Sequence, residues 1–300
     1  MIDFTNVPHT TKSYDGKNGN KISVVYNDEL YMLKFPALRT RKVAMRYTNS
    51  CISEYIGCKI FESIGIPTQE VLLGTYTTKA GKEKLVVACK DFAVNGLIFQ
   101  DFASQKNQFV DSEGNGYGTD LKDILATFNT QTAIDEKNLS ERFWDMFIVD
   151  ALIGNWDRHN GNWGFLYNSI TDELTLAPIF DCGCSLFPQA DEKMIKDTLS
   201  NKDVLDDKVF NRPTSAIMQE GERINYHKFI SSCQNKDCNK ALKRIFKRID
   251  MEKINSIIDE TPTITEEHRL FLKTVLAARK EKIIDFSYKL LCKLEKQQRQ

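Results

Sequence analysis

Apolar and polar positions alternate in two β-rich runs near the N-terminus, Ile22-Ser23-Val24-Val25-Tyr26 and Leu30-Tyr31-Met32-Leu33-Lys34-Phe35. Separated only by Asn27-Asp28-Glu29, they predict a hairpin, and Pro36 stops its second strand. Over residues 47–64 the period changes: Ile52, Ile56, Ile60 and Ile64 recur every four residues, the stripe of an amphipathic helix, with Gly65 and Pro67 ending it. Residues 71–76 and 84–89 predict a second hairpin about Ala80-Gly81. The order strand, strand, helix, strand, strand runs up to a composition change near Phe92 to Gly96. That change predicts two lobes, residues 1–92 and 93–300.

The remainder reads as mainly helical. Glycine and asparagine breakers within residues 107–119 predict a mobile loop. Ser140 is placed to cap a strongly apolar helix carrying Phe143, Trp144, Phe147, Ile148, Ala151 and Leu152. A polar loop, residues 155–162, leads into two short strands, 163–167 and 174–179, that meet at Thr171-Asp172. Beyond about Tyr226 the amphipathic stretches are long, and a packing helix from about Glu266 frays into a charged tail. The expected class is α+β: a β-rich N-terminal lobe with one key helix and a mostly helical C-terminal lobe.

Composition narrows the function classes. The 300 residues are 41% hydrophobic and 27% charged, with 41 basic against 41 acidic side chains. A balanced charge gives no reason to expect direct nucleic-acid binding or a membrane-surface protein. No apolar run approaches the ~20 residues of a transmembrane helix. The first eleven residues lack the basic-then-apolar pattern of a secretory signal, so the cytoplasm is the expected compartment. Eight cysteines and four histidines fall into no paired metal-ligand spacing, and the cysteines read as buried reduced thiols.

The chemistry concentrates in Gly154-Asn155-Trp156-Asp157-Arg158-His159-Asn160-Gly161-Asn162-Trp163 and in Ile179-Phe180-Asp181-Cys182-Gly183. An aspartate with an asparagine five positions on sits between a buried helix and a hairpin, and a second aspartate lies past the far end of that hairpin. Folding the hairpin back brings all three side chains toward one point. Phosphoryl transfer wants these types, because catalysis there is positioning and charge neutralisation. Asn162 and Asp181 offer the hard oxygens that Mg²⁺ takes. Asp157 can accept or orient the acceptor hydroxyl, and Arg158 and His159 add hydrogen-bonding capacity near the phosphates.

The N-terminal half supplies the complement. Lys34 ends a strand where a cation can reach the phosphates of ATP. Glu54 lies on the following helix, in line with Cys58 and Phe61, and a carboxylate on so apolar a stripe needs a partner; Lys34 is the natural one. Gly16, Gly19, Asn20 and Lys21 precede the first strand of the hairpin, where backbone N–H groups and a lysine can meet phosphates. Cys89-Lys90-Asp91-Phe92 leaves the last strand at the lobe junction, where backbone groups can read adenine.

The chain resembles the HipA-like serine/threonine kinases, most closely their short cell-translocating subgroup, along nearly its whole length. The matching runs include Asn18-Gly19-Asn20-Lys21-Ile22-Ser23, Tyr31-Met32-Leu33-Lys34-Phe35-Pro36, Leu73-Gly74-Thr75-Tyr76, Val86-Val87-Ala88-Cys89-Lys90-Asp91-Phe92, Asn160-Gly161-Asn162-Trp163-Gly164-Phe165 and Ala177-Pro178-Ile179-Phe180-Asp181-Cys182-Gly183. The resemblance implies a bilobal protein-kinase-like fold with ATP and Mg²⁺ between the lobes. It makes Asp157 the catalytic base, Asn162 and Asp181 the magnesium ligands, Lys34 the phosphate-binding lysine, and Lys90 with its neighbours the adenine hinge. A protein substrate with a Ser/Thr acceptor is implied, and Ser13 is placed for autophosphorylation. Toxin or effector roles and export to a host cell belong to the same resemblance. The subdomain with which full-length members contact an antitoxin has no counterpart in these runs, so antitoxin pairing is not expected. Asp-Arg-His-x-x-Asn also fits a phosphoinositide-type lipid kinase, although residues 187–210 balance their charges where a basic surface would be wanted. The same residues are compatible with a nucleotide-binding pseudokinase acting by partner binding and with a small-molecule kinase.

Overall fold

The computed structural model describes residues 1–14, 21–36, 48–109 and 115–298. Gly16, Gly19 and Asn20 of the expected phosphate-binding segment lie outside the described residues. The first sheet has the order β1-β4-β5-β3-β2, from β1 (Ile2–Asp3), β2 (Lys21–Tyr26), β3 (Glu29–Lys34), β4 (Val71–Thr77) and β5 (Glu83–Lys90). The short β1 lies parallel to β4, and the other pairings are antiparallel. Asn27 and Asp28 both take the left-handed conformation that a two-residue hairpin turn requires (φ 50° and 61°). Alternation gives the sheet two apolar faces. Val24, Leu33, Val86 and Ala88 pack with Phe4 and Phe35 on one, while Val71, Leu73, Val87 and Cys89 face helix α1 (Ser50–Ser63) on the other.

The chain leaves this sheet between Lys90 and Leu97 and enters a second one, β6 (Leu97–Asp101) with β7 (Gly164–Asn168) and β8 (Glu173–Leu176), in the order β6-β7-β8. β6 was not legible in the sequence: it is a five-residue edge strand ending in Gln100-Asp101, with Ile98 half exposed. Helices α2 (Phe102–Phe109), α3 (Leu121–Thr130) and α4 (Glu136–Ile153) lie between β6 and β7. The long apolar helix is α4, but Ser140 does not cap it. Asp135 does, accepting from the Lys137 N–H at 3.0 Å, and Ser140 sits one turn inside. β8 stops at Leu176 ahead of Pro178, and Ile179 instead makes a parallel bridge to Thr68 beside the exit of α1.

The expected mobile loop is corrected where it is described. Residues 107–109 complete α2, and residues 115–119 are tied down: the Asn160 amide donates to the carbonyls of Gly116 (2.9 Å) and Gly118 (2.8 Å), and the fully buried Lys106 ammonium donates to Gly118 (2.7 Å). Gly116 is required there, at φ 81° with any Cβ 1.9 Å from the Ala103 carbonyl oxygen. After β8 come α5 (Glu192–Ser200), α6 (Lys202–Phe210), the ribbon β9 (Met218–Gln219) and β10 (Glu222–Arg223), then α7 (Tyr226–Ser231), α8 (Lys236–Phe246) and α9 (Met251–Glu260). The last helix is two, α10 (Glu266–Arg279) and α11 (Phe286–Gln297), joined by a π-helical turn, Lys280–Asp285. No described helix is long and apolar enough to cross a membrane.

Candidate active site

Lys34 is the last residue of β3, and alternation places it on the sheet face that carries Met32 and Cys89, toward α1. Its ammonium bridges two carboxylates, Glu54 at 3.1 Å and Asp181 at 3.0 Å. Glu54 is 1% exposed, which a charge tolerates only with partners. The Asp181 side chain remains 40% exposed and so open to the cleft. Burial alone would lower the Lys34 pKa, but Asp181 and Glu54 more than offset it and hold the ammonium well above its ordinary range. Burial would raise Asp181; Lys34, by charge and hydrogen bond, brings it instead to about 2. Lys21 stands opposite Lys34 in the β2–β3 register, its pKa lowered by burial and by Lys34.

Two glycines let these parts meet. A Cβ on Gly183 would lie 3.0 Å from Glu54 Oε2, and one on Gly57 would lie 2.6 Å from the Cβ of Cys182. The turn after Asp181 thus packs directly on the α1 backbone, with Asp181 itself in the left-handed conformation (φ 56°), a strain of about 1–3 kcal/mol characteristic of functional sites. Gly57→Ala is expected to push α1 from Cys182. It should cost about 1–3 kcal/mol by overpacking and lower phosphotransfer; melting temperature and turnover measured together check it.

α4 ends at Gly154 in the left-handed conformation (φ 65°) and delivers the loop of residues 155–162. The loop is held from inside by a buried ion pair. Arg158, 2% exposed, donates to Asp150 at 3.1 Å and to the carbonyls of Asn162 (2.9 Å) and Phe180, while the Asn155 amide donates to Asp150 at 3.0 Å. The expectation that Arg158 stands near the phosphates is therefore corrected. Its guanidinium is committed to Asp150 and ties the Asn162 segment to the Asp181 segment. His159 shapes the turn, its N–H donating to the Asp157 carbonyl (2.8 Å) and its Nδ1 accepting from Gly161 N–H (3.0 Å).

The Asp157 carboxylate is left partly exposed, with the Cys184 thiol 3.6 Å from Oδ2. Burial raises its pKa, His159 lowers it in part, and the negative charge of Asp181 raises it further. Asn162 donates its amide N–H to the Asp157 carbonyl at 2.8 Å, which turns Oδ1 away from that bond. With one oxygen of Asp181 on Lys34, the donor set left for a cation is one carboxylate oxygen and one amide oxygen. That sparse, hard set suits Mg²⁺, which keeps water and takes the rest of its shell from substrate phosphates.

The hinge differs from expectation in its details. Lys90 points its ammonium to Glu29 (2.6 Å) and Glu70 (3.3 Å). Its N–H donates to the Glu70 carbonyl (2.9 Å), its own carbonyl accepts from Gln69 (2.9 Å), and Asp91 N–H donates to Leu30 (2.8 Å). Those groups are engaged within the N-terminal lobe. Cys89 is wholly buried in the sheet. Phe92 is the hinge residue that turns toward the second lobe, packing on Phe99 and on Phe180, which in turn touch each other (centroids 5.7, 5.5 and 5.2 Å). Phe92, Phe180 and Asn155 lie in the runs singled out above, but their grouping with Phe99 and with Asp150 did not show in the sequence; the usable signal was a carboxylate within the otherwise apolar stretch 146–153.

A strand-rich lobe whose lysine pairs with the helix beneath it, set over a helical lobe presenting Asp157, Asn162 and Asp181, is a protein-kinase-like fold. The HipA-like C-terminal domain family matches residues 18–261. The serine/threonine-protein kinase CtkA of Helicobacter pylori (strain J99) is 48% identical over 301 residues, covering 100% of this chain and 91% of that protein. The crystal structure of a Helicobacter pylori proinflammatory kinase CtkA superposes with a TM-score of 0.92, over 98% of each chain at 48% identity. A Shewanella oneidensis MR-1 structure of HipA with HipB and operator DNA shares the fold, with a TM-score of 0.55 at 15% identity over 94% of this chain and 69% of that one. The chain belongs to the HipA-like family of serine/threonine-protein kinases.

Proposed function

We propose that the chain transfers the γ-phosphoryl group of ATP, with Mg²⁺, to a serine or threonine hydroxyl of a protein. The observation that carries this is the bridge of Lys34 to both Glu54 and Asp181, which joins a cation of the N-terminal lobe to a carboxylate of the C-terminal lobe. From Lys34 back to Leu30, whose carbonyl holds the hinge, is four residues of β3, about 13 Å. That span accommodates phosphates at Lys34 and a base at the hinge. Asn162 and Asp181 are the residues to hold Mg²⁺, which when bound neutralises phosphate charge. Asp157 accepts a hydrogen bond from the acceptor hydroxyl and aligns its oxygen; its raised pKa suits it to take the proton as transfer proceeds.

An effector role has support from the relative described as a proinflammatory kinase, whereas pairing with an antitoxin has only likeness of fold. Ser13 is exposed beside the hinge, a position open to phosphorylation. Calorimetry of ATP binding with and without Mg²⁺ tests the metal assignment. Asp181→Ala is expected to weaken magnesium-dependent binding and leave magnesium-free binding close to wild type. Equal affinity and stoichiometry for the two proteins in Mg²⁺ would place the metal elsewhere.

A further inference from the structure

Residues 8–10 run antiparallel to the free edge of β2: His9 bridges Val24, the Val25 N–H donates to Pro8 (2.9 Å), and the Thr10 N–H donates to Ser23 (3.0 Å). The chain then turns under the sheet to the hinge. There Lys12 and Tyr14 converge on one oxygen of Asp91, the ammonium at 2.6 Å and the phenol O–H at 2.7 Å. Lys12 also donates to the Ala93 carbonyl (2.9 Å), and the other Asp91 oxygen accepts from the Ala93 N–H (2.8 Å). The Asp91 side chain is 5% exposed, so this carboxylate is fully committed to a clamp between the N-terminal segment and the hinge.

The clamp fixes the phenol oxygen of Tyr14 at the hinge. Burial, then the bond to Asp91, raises the phenol pKa, and Ser23 and Cys89 are the other groups that act on it. Ser23, Met32 and Cys89 are register neighbours across β2, β3 and β5, on the sheet face that Lys34 shares. Met32 precedes Lys34 by two residues, about 7 Å along the strand. The phenol oxygen is therefore held at the hinge end of the sheet face that carries Lys34, which leaves the ring beside the line a nucleotide would follow.

We propose that Tyr14, pinned by Asp91 and Lys12, is the base-positioning residue of the nucleotide site, its ring forming the wall against which the purine stacks at the hinge. The inference rests on the ATP-site reading above. An aromatic wall holds any purine by its π-face, and a phenol tethered at its O–H loses little freedom when the base arrives.

The test measures adenosine and ATP affinity by calorimetry, KM and kcat for ATP, and melting temperature in wild type, Tyr14→Phe and Tyr14→Ala. Tyr14→Ala is expected to weaken adenosine binding about tenfold and to raise KM for ATP alike, with kcat at saturation changed far less. Tyr14→Phe keeps the ring without its tether and should fall between. Because adenosine carries no phosphate, its loss of affinity with a near-normal melting temperature separates a wall from a general structural role. Unaltered adenosine affinity in Tyr14→Ala, while wild type binds ATP, overturns this assignment alone. Tighter binding in that variant also overturns it, making the ring an obstruction. A wild-type chain that binds neither adenosine nor Mg²⁺-ATP overturns both this proposal and the ATP-site reading.

Discussion

Asp157→Asn is expected to lower kcat by about 10²–10⁴ while Mg²⁺-ATP still binds. The carboxylate is held in place by its neighbours: the Asn162 amide and the His159 N–H fix its backbone carbonyl, and the Cys184 thiol approaches Oδ2. Asparagine has nearly the same shape, so the loop survives and only the acceptor for the hydroxyl proton is lost. The pH dependence has a definite sign. Burial raises the Asp157 pKa, and the ionised form is the active one. Activity of the wild type should therefore rise with pH through a value above the ordinary carboxylate range, and the residual activity of the variant should lack that limb. A carboxylate whose folded pKa lies above its unfolded value loses stability as pH rises from the unfolded value to the folded one, and the full cost remains above that. Asp157→Asn removes that cost, so its melting temperature near pH 7 should equal or exceed that of wild type. Near-normal turnover at saturating Mg²⁺-ATP would take the base assignment away from Asp157.

The parts of the fold legible in the sequence are those with a strong local period. The β2–β3 hairpin announced itself through alternation and a turn pair able to adopt positive φ, and α1 through isoleucine every fourth residue. The pairing of Lys34 with Glu54 was legible too, because a carboxylate on a buried stripe demands a cation. That Lys34 also reaches Asp181, 147 positions along the chain, was not: the contact depends on Gly57 and Gly183 letting the Cys182 turn pack on α1. Arg158 was misplaced for a related reason. Beside His159 in a phosphotransfer loop a guanidinium reads as a phosphate ligand, and only the buried Asp150 eight residues back shows that it faces inward. At the expected hinge, which backbone groups are engaged follows from Glu70, Gln69 and Leu30, and hydrogen-bond partners across a sheet leave no local trace.

Glu54→Gln and Lys34→Met are expected to separate catalysis from stability, because Lys34 has two carboxylate partners and Glu54 depends on Lys34. In Glu54→Gln the ammonium keeps Asp181, and the amide preserves the volume and one hydrogen bond, so the fold should melt near the wild-type temperature. What changes is the balance on Lys34. Without the Glu54 charge, Asp181 is the sole carboxylate holding it, and the lysine is drawn toward the carboxylate proposed to hold the metal. A displacement of this kind, on the order of 1 Å, costs about 10²-fold in turnover. Lys34→Met acts on both properties: it takes from the 1% exposed Glu54 its ion-pair partner, the situation in which breaking a buried pair costs about 3–5 kcal/mol. It also releases Asp181. At present the Asp181 pKa is depressed to about 2, so its stabilisation is present above the unfolded value and fades only as pH falls toward 2. In Lys34→Met that pKa should return upward, and the acid-unfolding midpoint should rise with it. Melting temperature, acid unfolding and phosphotransfer rate across the three proteins check the scheme. Full activity in Glu54→Gln beside a dead Lys34→Met would show the lysine working without its helix partner. Full activity in Lys34→Met would remove the nucleotide site from this lobe altogether.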